Sequence, residues 1–202
     1  MPMRLTGKEL SCIRGGRRVL IDIAFTVSAG QGLLLEGPNG SGKTTLLRAL
    51  AGLVPFCAGT VIFEGGAADT PPGEQAHYVG HADALKPQPS VRAHLASWSE
   101  YLGGAVSAAA LALFDLAAIA DLPAAYLSAG QKRKLALSRL KLVQRPLWLL
   151  DEPNVSLDAA ARGVLAGAMN EHMQSGGIVI AATHLDLGAL FAQKLTLGRS
   201  AA

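Results

Sequence analysis

Hydrophobic positions along the chain fall into two patterns, and both predict strands. From residue 19 to residue 27 every second residue is hydrophobic, with mostly smaller or polar residues between, and this period of two is typical of a strand with one buried face. Residues 33–35, 147–150 and 177–182 are short apolar runs instead. Such runs are typical of strands that are buried on both faces, as in a parallel sheet.

Helices and further short strands are predicted between these runs. Val91, Leu95, Trp98 and Leu102 recur at helical spacing, and apolar residues recur in the same way from 108 to 119. The alternation of apolar strands and helices predicts an α/β fold with a mostly parallel core sheet, in which the helices before residue 140 form an insert. The remaining predicted elements are helices at about 42–50 and 158–174 and short strands at 59–63 and 77–80.

The composition agrees with one folded domain that has no membrane-spanning segment of its own. Half of the 202 residues are hydrophobic and 16% are charged, which argues against disorder. No signal peptide and no apolar stretch of about 18 residues is found, so a role in transport would require a separate membrane partner. Cys12 and Cys57 form no Cys-x-x-Cys pair, which favours a reducing cytoplasm.

The charge pattern gives no reason to expect a nucleic-acid partner. The formal net charge is only +3, and the basic residues form just two clusters, neither of which is interleaved with aromatic residues. Each cluster is as compatible with a solvated face as with a binding patch. The clusters are Arg14, Arg17 and Arg18 near the start of the chain, and Lys132, Arg133 and Lys134.

Residues 37–44 match the phosphate-binding loop pattern G-x-x-x-x-G-K-[ST], between a predicted strand and a predicted helix. Glycines allow backbone N–H groups to curl around phosphates, and the start of the helix adds partial positive charge. Lys43 is predicted to reach the β- and γ-phosphates, and the Thr44 hydroxyl to bind Mg²⁺. The predicted nucleotide-binding residues of this segment are Gly37, Pro38, Asn39, Gly40, Ser41, Gly42, Lys43, Thr44 and Thr45.

The apolar run 147–150 ends in two acidic residues, Asp151 and Glu152. Ligands bind at the carboxyl ends of the strands in a parallel sheet, so these carboxylates are predicted to lie beside the phosphates. Asp151 is predicted to hold Mg²⁺ through water, and Glu152 to polarise the attacking water. ATP and Mg²⁺ are therefore the predicted ligands, and ATP hydrolysis is the predicted reaction.

Three later segments give the chain a resemblance to a known family. Residues 127–131 read Leu-Ser-Ala-Gly-Gln, residues 149–153 read Leu-Leu-Asp-Glu-Pro, and the last predicted strand is followed by Thr183-His184. In this order, after the phosphate loop, they resemble the ATP-binding cassette (ABC) family over nearly the whole chain. The resemblance implies an α/β P-loop NTPase of the ABC ATPase type, with an antiparallel β part. It would form a single domain spanning 1–202, with a helical subdomain at approximately 85–140.

The resemblance also implies roles for residues outside the phosphate loop. ATP would be sandwiched in a head-to-tail homodimer, with Ser128, Gly130 and Gln131 facing the nucleotide held by the other subunit. Taken alone, Ser128 could equally be a helix cap. His184 would contact the γ-phosphate and hold the attacking water in line, and residues 156–158 resemble the family's D-loop at the dimer interface. The catalytic residues implied are Glu152, His184 and Lys43.

Two departures from the family's pattern concern the nucleotide site. The family usually has a glutamine that contacts Mg²⁺ and the water, but here that strand reads Tyr78-Val79-Gly80-His81, so His81 is predicted to take its place. No aromatic residue precedes Phe25 to stack on adenine, and Arg14 lies near that position, where a guanidinium can stack on a ring. Residues 12–14 (Cys-Ile-Arg), residues 78–81, and residues 127–131 followed by three basic residues, together with the small size of the chain, resemble the ATP-binding subunit of the haem exporter of bacterial cytochrome c maturation.

That narrower resemblance implies a peripheral ATPase on the cytoplasmic face of the inner membrane, bound to integral membrane subunits of a haem export and maturation complex. ATP hydrolysis would drive haem delivery or the release of a haem chaperone. The chain itself is expected to bind no haem, since it has no Cys-x-x-Cys-His motif. In the family, a helix of the membrane subunit docks near the segment that corresponds to residues 82–106.

Three alternatives remain, the first of the same class and the others of different classes. An ABC transporter for another solute stays open, because the membrane subunit would bind the solute. A soluble ABC protein that acts on DNA or ribosomes usually has two cassettes or a long coiled coil, and neither is found in this sequence. A small-molecule kinase with a phosphate loop would leave residues 127–131 unexplained.

Overall fold

A computed structural model describes residues 2–104, 108–184 and 186–198. The strands in chain order are β1 (Arg4–Arg14), β2 (Arg17–Ser28), β3 (Gly32–Glu36), β4 (Ala58–Glu64), β5 (Ala76–Val79), β6 (Leu147–Asp151), β7 (Ile178–Ala182) and β8 (Gln193–Thr196). The helices are α1 (Lys43–Leu50), α2 (Val91–Tyr101), α3 (Ala108–Ala112), α4 (Ala129–Ser138) and α5 (Ala159–Gln174). Short 3₁₀ turns cover Pro72–Gln75, Ala117–Ile119, Ala124–Tyr126 and Arg139–Lys141.

Five strands form the core sheet in the order β5-β6-β7-β3-β8, and each neighbouring pair is parallel. Every residue of β6 and β7 is buried, as expected for apolar strands that are covered on both faces. The mostly parallel core sheet predicted from the apolar runs is thereby confirmed. Because these strands run in one direction, their carboxyl ends meet at one edge of the sheet. At this edge the segment 37–42 follows β3, Asp151 is the last residue of β6, and Thr183 follows β7.

A second sheet is antiparallel, in the order β2-β1-β4, and α1 packs between it and the core sheet. Leu5 and Leu20 from this sheet share one apolar cluster with Leu46 of α1 and Leu33 of β3. The sequence patterns did not predict β1 or β8. β1 has register shifts against both neighbours and a positive φ of 52° at Glu9, while β8 is short, polar and half exposed.

The region between β5 and β6 is helical, as predicted, although its second helix is shorter than expected. The apolar residues from 108 to 119 predicted one continuous helix, but α3 ends at Ala112. Asp115 has a positive φ of 53°, which an α-helix cannot include, so the chain turns there before the next 3₁₀ turn. Residues 105–107, inside the predicted helical subdomain, lie outside the described residues. Within the ranges described, no helix is both long and apolar enough to cross a membrane.

Candidate active site

A cavity of about 630 Å³ lies at the carboxyl edge of the core sheet, between the segment 37–45 and the end of β6. It brings together residues that are far apart in the sequence and that the motifs predicted separately. The residues that line it are Val19, Asn39, Gly40, Ser41, Gly42, Lys43, Thr44, Thr45, His81, Asp151, Glu152, Val155 and His184.

The phosphate loop needs glycine at two of its positions for steric reasons. Gly37 has a φ of 135°, and a Cβ atom there would collide with the carbonyl oxygen of Leu197. Gly42 has a φ of 101°, and its Cβ would lie 2.6 Å from Cδ2 of Leu20. Gly42 is also the N-cap residue of α1. Because glycine has no side chain, it makes no capping hydrogen bond to the first N–H groups of that helix. Those groups are a suitable site for phosphate oxygens.

The charge of Lys43 is buried inside the loop. Lys43 is only 7% exposed, and its Nζ donates hydrogen bonds to the carbonyl oxygens of Gly37 at 2.6 Å and Pro38 at 3.1 Å. The hydroxyl of Ser41 is buried and has no hydrogen-bond partner in the protein. A buried ammonium group and an unpaired hydroxyl group, both lining the same cavity, are suited to bind an anionic ligand such as a phosphate chain.

Thr44 and Asp151 form the part of the cavity that fits a magnesium ion. The Thr44 hydroxyl donates to Oδ1 of Asp151 at 3.1 Å, while Oδ2 of Asp151 is buried and has no partner. Burial raises the pKa of Asp151, against the hydrogen bond from Thr44, which lowers it. Hydroxyl, carboxylate and phosphate oxygens are the ligands that Mg²⁺ prefers. The described residues contain no group of three or more His, Cys, Asp or Glu side chains that could hold a metal by themselves.

Glu152 and His184 lie side by side in the lining of the cavity. Nε2 of His184 is 3.4 Å from Oε1 of Glu152 and 2.7 Å from Oδ1 of Asn39. The backbone N–H of His184 donates to Oε2 of Glu152 at 3.4 Å. The Glu152 side chain is 17% exposed, whereas that of His184 is 48% exposed. This arrangement gives one carboxylate and one imidazole that can share a water molecule or a phosphate oxygen.

The two residues predicted from departures in the family pattern lie in different places. His81 lines the cavity, where it is one of the smaller influences that oppose the rise in the pKa of Asp151 caused by burial. Arg14 does not line the cavity; it is exposed in the β1–β2 hairpin, paired in register with Arg17. The side chain that β2 contributes to the cavity is Val19 instead. The alternating pattern predicted Val19 only as part of a strand, and no motif indicated Val155.

The segment 127–131 lies outside the cavity lining, at the start of α4. Oγ of Ser128 accepts a hydrogen bond from the N–H of Gln131 at 3.2 Å, and Oε1 of Gln131 accepts one from the N–H of Ser128 at 2.8 Å. The alternative that Ser128 caps a helix is therefore confirmed, as a reciprocal capping box. A Cβ atom at Gly130 would lie 3.0 Å from the carbonyl oxygen of Ser156, so this segment touches the predicted D-loop.

The second basic cluster is neither a solvated face nor a binding patch. Arg133 is 3% exposed and is hydrogen-bonded to backbone carbonyl groups around β6. Lys134 forms an ion pair with Asp158 at 3.0 Å. A run of adjacent cations on a helix necessarily points in different directions, since neighbouring residues do not share a face. That geometry explains why the run could not be interpreted as one surface.

The fold and the cavity together define a phosphate-loop ATPase whose loop lies at the carboxyl edge of a parallel sheet. Residues 20–155 match the family model described as ABC transporter, and the chain belongs to the ABC transporter family. It therefore binds and hydrolyses ATP. The predicted fold class is confirmed by a solved structure described as the ATP binding subunit of an ABC transporter, with a TM-score of 0.78, 29% identity, and coverage of 90% of this chain and 80% of that one.

Similar proteins narrow the comparison within the family. The cytochrome c biogenesis ATP-binding export protein CcmA of Rhodopseudomonas palustris (strain BisB5) is 50% identical over 98% of this chain and 100% of its own length. The protein of the same name from Bradyrhizobium diazoefficiens is 47% identical over 92% of this chain and 94% of its own length. The chain thus spans nearly the full length of both relatives.

Proposed function

We propose that this chain is the ATP-hydrolysing subunit of a membrane complex that drives haem export, or release of a haem chaperone, in c-type cytochrome biogenesis. The observation that carries the proposal is the 50% identity, over nearly the whole chain, to a protein named for that process. The chain would lie on the cytoplasmic face of the inner membrane, against integral membrane subunits. ATP would supply the energy, and the chain itself would bind no haem.

The proposed reaction is transfer of the γ-phosphoryl group of ATP to water. Lys43, the loop N–H groups and the start of α1 would hold the phosphates. Thr44 and Asp151 would hold Mg²⁺, which neutralises phosphate charge when it is bound. Glu152 would orient the water and accept its proton, while His184 holds the γ-phosphate and the carboxylate in line.

The role of Glu152 can be tested with the purified chain. Glu152→Gln keeps the size of the side chain and removes its basicity, so ATP binding is expected to stay within about threefold of wild type while kcat falls by about 100-fold or more. Glu100→Gln, an exposed position on α2, is the matched control and is expected to retain wild-type kcat. Full turnover by Glu152→Gln would refute the proposed base.

We further propose that the site is completed by a second copy of the chain. Ser128, Gly130 and Gln131 stand at a helix start outside the cavity of their own subunit, and Ser128 is exposed. A head-to-tail dimer would place this helix start against the γ-phosphate of the partner's ATP, where its N–H groups and partial positive charge stabilise an anion. ATP-dependent dimers of Glu152→Gln, measured by sedimentation, test this arrangement. A monomer at saturating ATP would contradict it.

A groove of about 310 Å³ between the segment that follows α1 and the end of α2 is the proposed contact with a membrane subunit. Leu53 and Tyr101 line it and are 57% and 87% exposed, large values for apolar side chains. Tyr101 lies within the predicted surface 82–106, of which residues 105 and 106 lie outside the described residues. By contrast, Leu85 packs against the apolar core, so it is unsuited to a surface test.

Tyr101→Asp tests the groove, with Tyr126→Asp, an exposed tyrosine near α4, as the matched control. In membranes, Tyr101→Asp is expected to abolish co-purification of integral membrane subunits and to leave ATP binding by the purified chain unchanged. Tyr126→Asp is expected to preserve both. Identification of the co-purified proteins also separates haem export from transport of another solute, because the membrane subunits would belong to a different complex.

A further inference from the structure

Arg133 is a buried arginine whose guanidinium group is hydrogen-bonded on every side. It projects from α4 and is 3% exposed. A guanidinium group has five N–H donors, and the structure shows five hydrogen bonds from this side chain. Its acceptors are the carbonyl oxygens of Gly80 at 2.8 Å, Asp151 at 3.0 Å, Glu152 at 2.7 Å and Pro153 at 3.1 Å, and Oδ1 of Asp83 at 3.0 Å.

Three of those bonds hold the backbone that carries the proposed base. Glu152 has a φ of 47°, in the left-handed region that is unfavourable for a residue with a Cβ atom. Nη2 of Arg133 binds the carbonyl oxygens of Asp151 and Glu152, and Nε binds that of Pro153. The backbone conformation at Glu152 sets the direction of its Cα–Cβ bond, so Arg133 controls where the carboxylate points.

The other bonds hold the segment that carries His81. Nη1 binds the Gly80 carbonyl, on one side of His81, and the Asp83 carboxylate, on the other. The Asp83 side chain is 26% exposed, so this end of the contact is close to the surface. One rigid, planar group therefore touches both the segment 80–83 and the turn 151–153.

We infer that Arg133 is a positioning residue for ATP hydrolysis, which fixes the carboxylate of Glu152 and couples its position to the segment 80–83. It does not line the cavity, and it acts through the carbonyl groups that it holds. The inference rests on the proposed role of Glu152. A displacement of segment 80–83, for example when a partner docks beside it, would pull on Asp83 and Gly80 and shift the guanidinium group against the catalytic turn.

Substitutions at both ends of the contact test the coupling in the purified full-length chain. Arg133→Lys keeps the charge but cannot serve both segments, so kcat is expected to fall by about 100-fold, as for other small misplacements of a catalytic group. Asp83→Asn loosens one end only, and kcat is expected to fall by about fivefold. In both variants ATP affinity is expected to stay within about threefold of wild type.

Arg139→Lys is the matched control, because Arg139 lies just after α4 and binds the carbonyl oxygen of Asp83 at 3.2 Å, and none of its hydrogen bonds reaches residues 151–153. Its kcat is expected to stay within about twofold of wild type. The double variant Asp83→Asn/Arg133→Lys is expected to be no slower than Arg133→Lys alone, since the two residues act as one unit.

Wild-type kcat in Asp83→Asn, or strictly multiplicative losses in the double variant, would overturn the inference. If Arg133→Lys does not fold, a comparison of the kcat of Asp83→Asn with that of Arg139→Lys still tests the inference. Glu152→Gln distinguishes failure of the proposed role of Glu152 from failure of the coupling through Arg133. If that variant turns over ATP normally, the role of Glu152 fails, whereas normal turnover in Asp83→Asn alone removes only the coupling.

Discussion

Acidification is expected to destabilise the protein through a buried histidine. His77 on β5 is 2% exposed, and its Nε2 lies 2.7 Å from the carbonyl oxygen of Val143. Burial lowers the pKa of His77 to about 4 from the ordinary value of 6.5, even though the Val143 hydrogen bond raises it. The unfolded chain therefore takes up a proton at a higher pH than the folded one. The stability contributed by neutral His77 is complete above about pH 6.5 and is lost as the pH falls toward 4.

The size of the effect follows from the shift. Between about pH 7.5 and about pH 5.0, protonation of His77 in the unfolded chain removes about 2 kcal/mol from the free energy of unfolding. His172 adds a second loss of the same sign, because burial also lowers its pKa to about 4. With a urea slope of about 2 kcal/mol per molar, His77 alone shifts the midpoint by about 1 M.

Urea unfolding followed by far-ultraviolet circular dichroism measures the effect at both pH values. His77→Gln keeps a donor for the Val143 carbonyl and removes the titration, so the difference between its two midpoints is expected to be about 1 M smaller than that of wild type. Acidic side chains titrate in both proteins and cancel in this comparison. An equal pH dependence in His77→Gln and wild type would refute the reasoning.

The remaining predictions concern the nucleotide. Lys43→Ala is expected to weaken ATP binding at least about tenfold, because a buried charge-assisted contact is lost; affinity within about twofold of wild type, measured by titration calorimetry, would contradict this. ATP is expected to be preferred over GTP by less than about 100-fold, since the described residues that line the cavity include Val19 but no Phe, Tyr or Trp, and base stacking is worth about 1–3 kcal/mol; competition binding checks it. Gly130→Ala is expected to lower kcat at least about fivefold with unchanged ATP binding by the monomer, because its Cβ would press on Ser156; wild-type turnover would argue against a tight fit there.

The sequence predicted the core sheet well because its strands have a simple physical signature. Residues 147–150 and 177–182 are apolar since both faces of these strands are covered, and no turn or charge interrupts them. β1 lacked such a signature. Its charged residues are exposed but Ser11 is buried, and a left-handed residue at Glu9 breaks its period of two. β8 is a short strand at the edge of the core sheet, where polar residues are tolerated.

The sequence predicted the site residues that belong to short motifs. It predicted less well the residues whose positions depend on contacts between distant parts of the chain. The phosphate loop and the end of β6 lie together because parallel strands share one carboxyl edge, and the sequence reveals both. The hydrogen bonds of Arg133 depend on the packing of α4 against the turn 151–153, which lies more than a dozen residues later in the sequence. Nothing in the run from Lys132 to Lys134 indicated which cation points inward. The same applies to Val19, whose strand was predicted but whose proximity to the loop was not.

The formation of c-type cytochromes in a strain whose own copy is replaced by Lys43→Ala tests the proposed function most directly. This strain is expected to lose mature c-type cytochromes, detected by haem staining of membrane proteins, and to keep its b-type haem proteins. Haem should accumulate on its chaperone within the membrane complex, because hydrolysis would no longer release it. Normal c-type cytochromes, with expression of the variant confirmed by immunoblot, would contradict the haem assignment and favour transport of another solute.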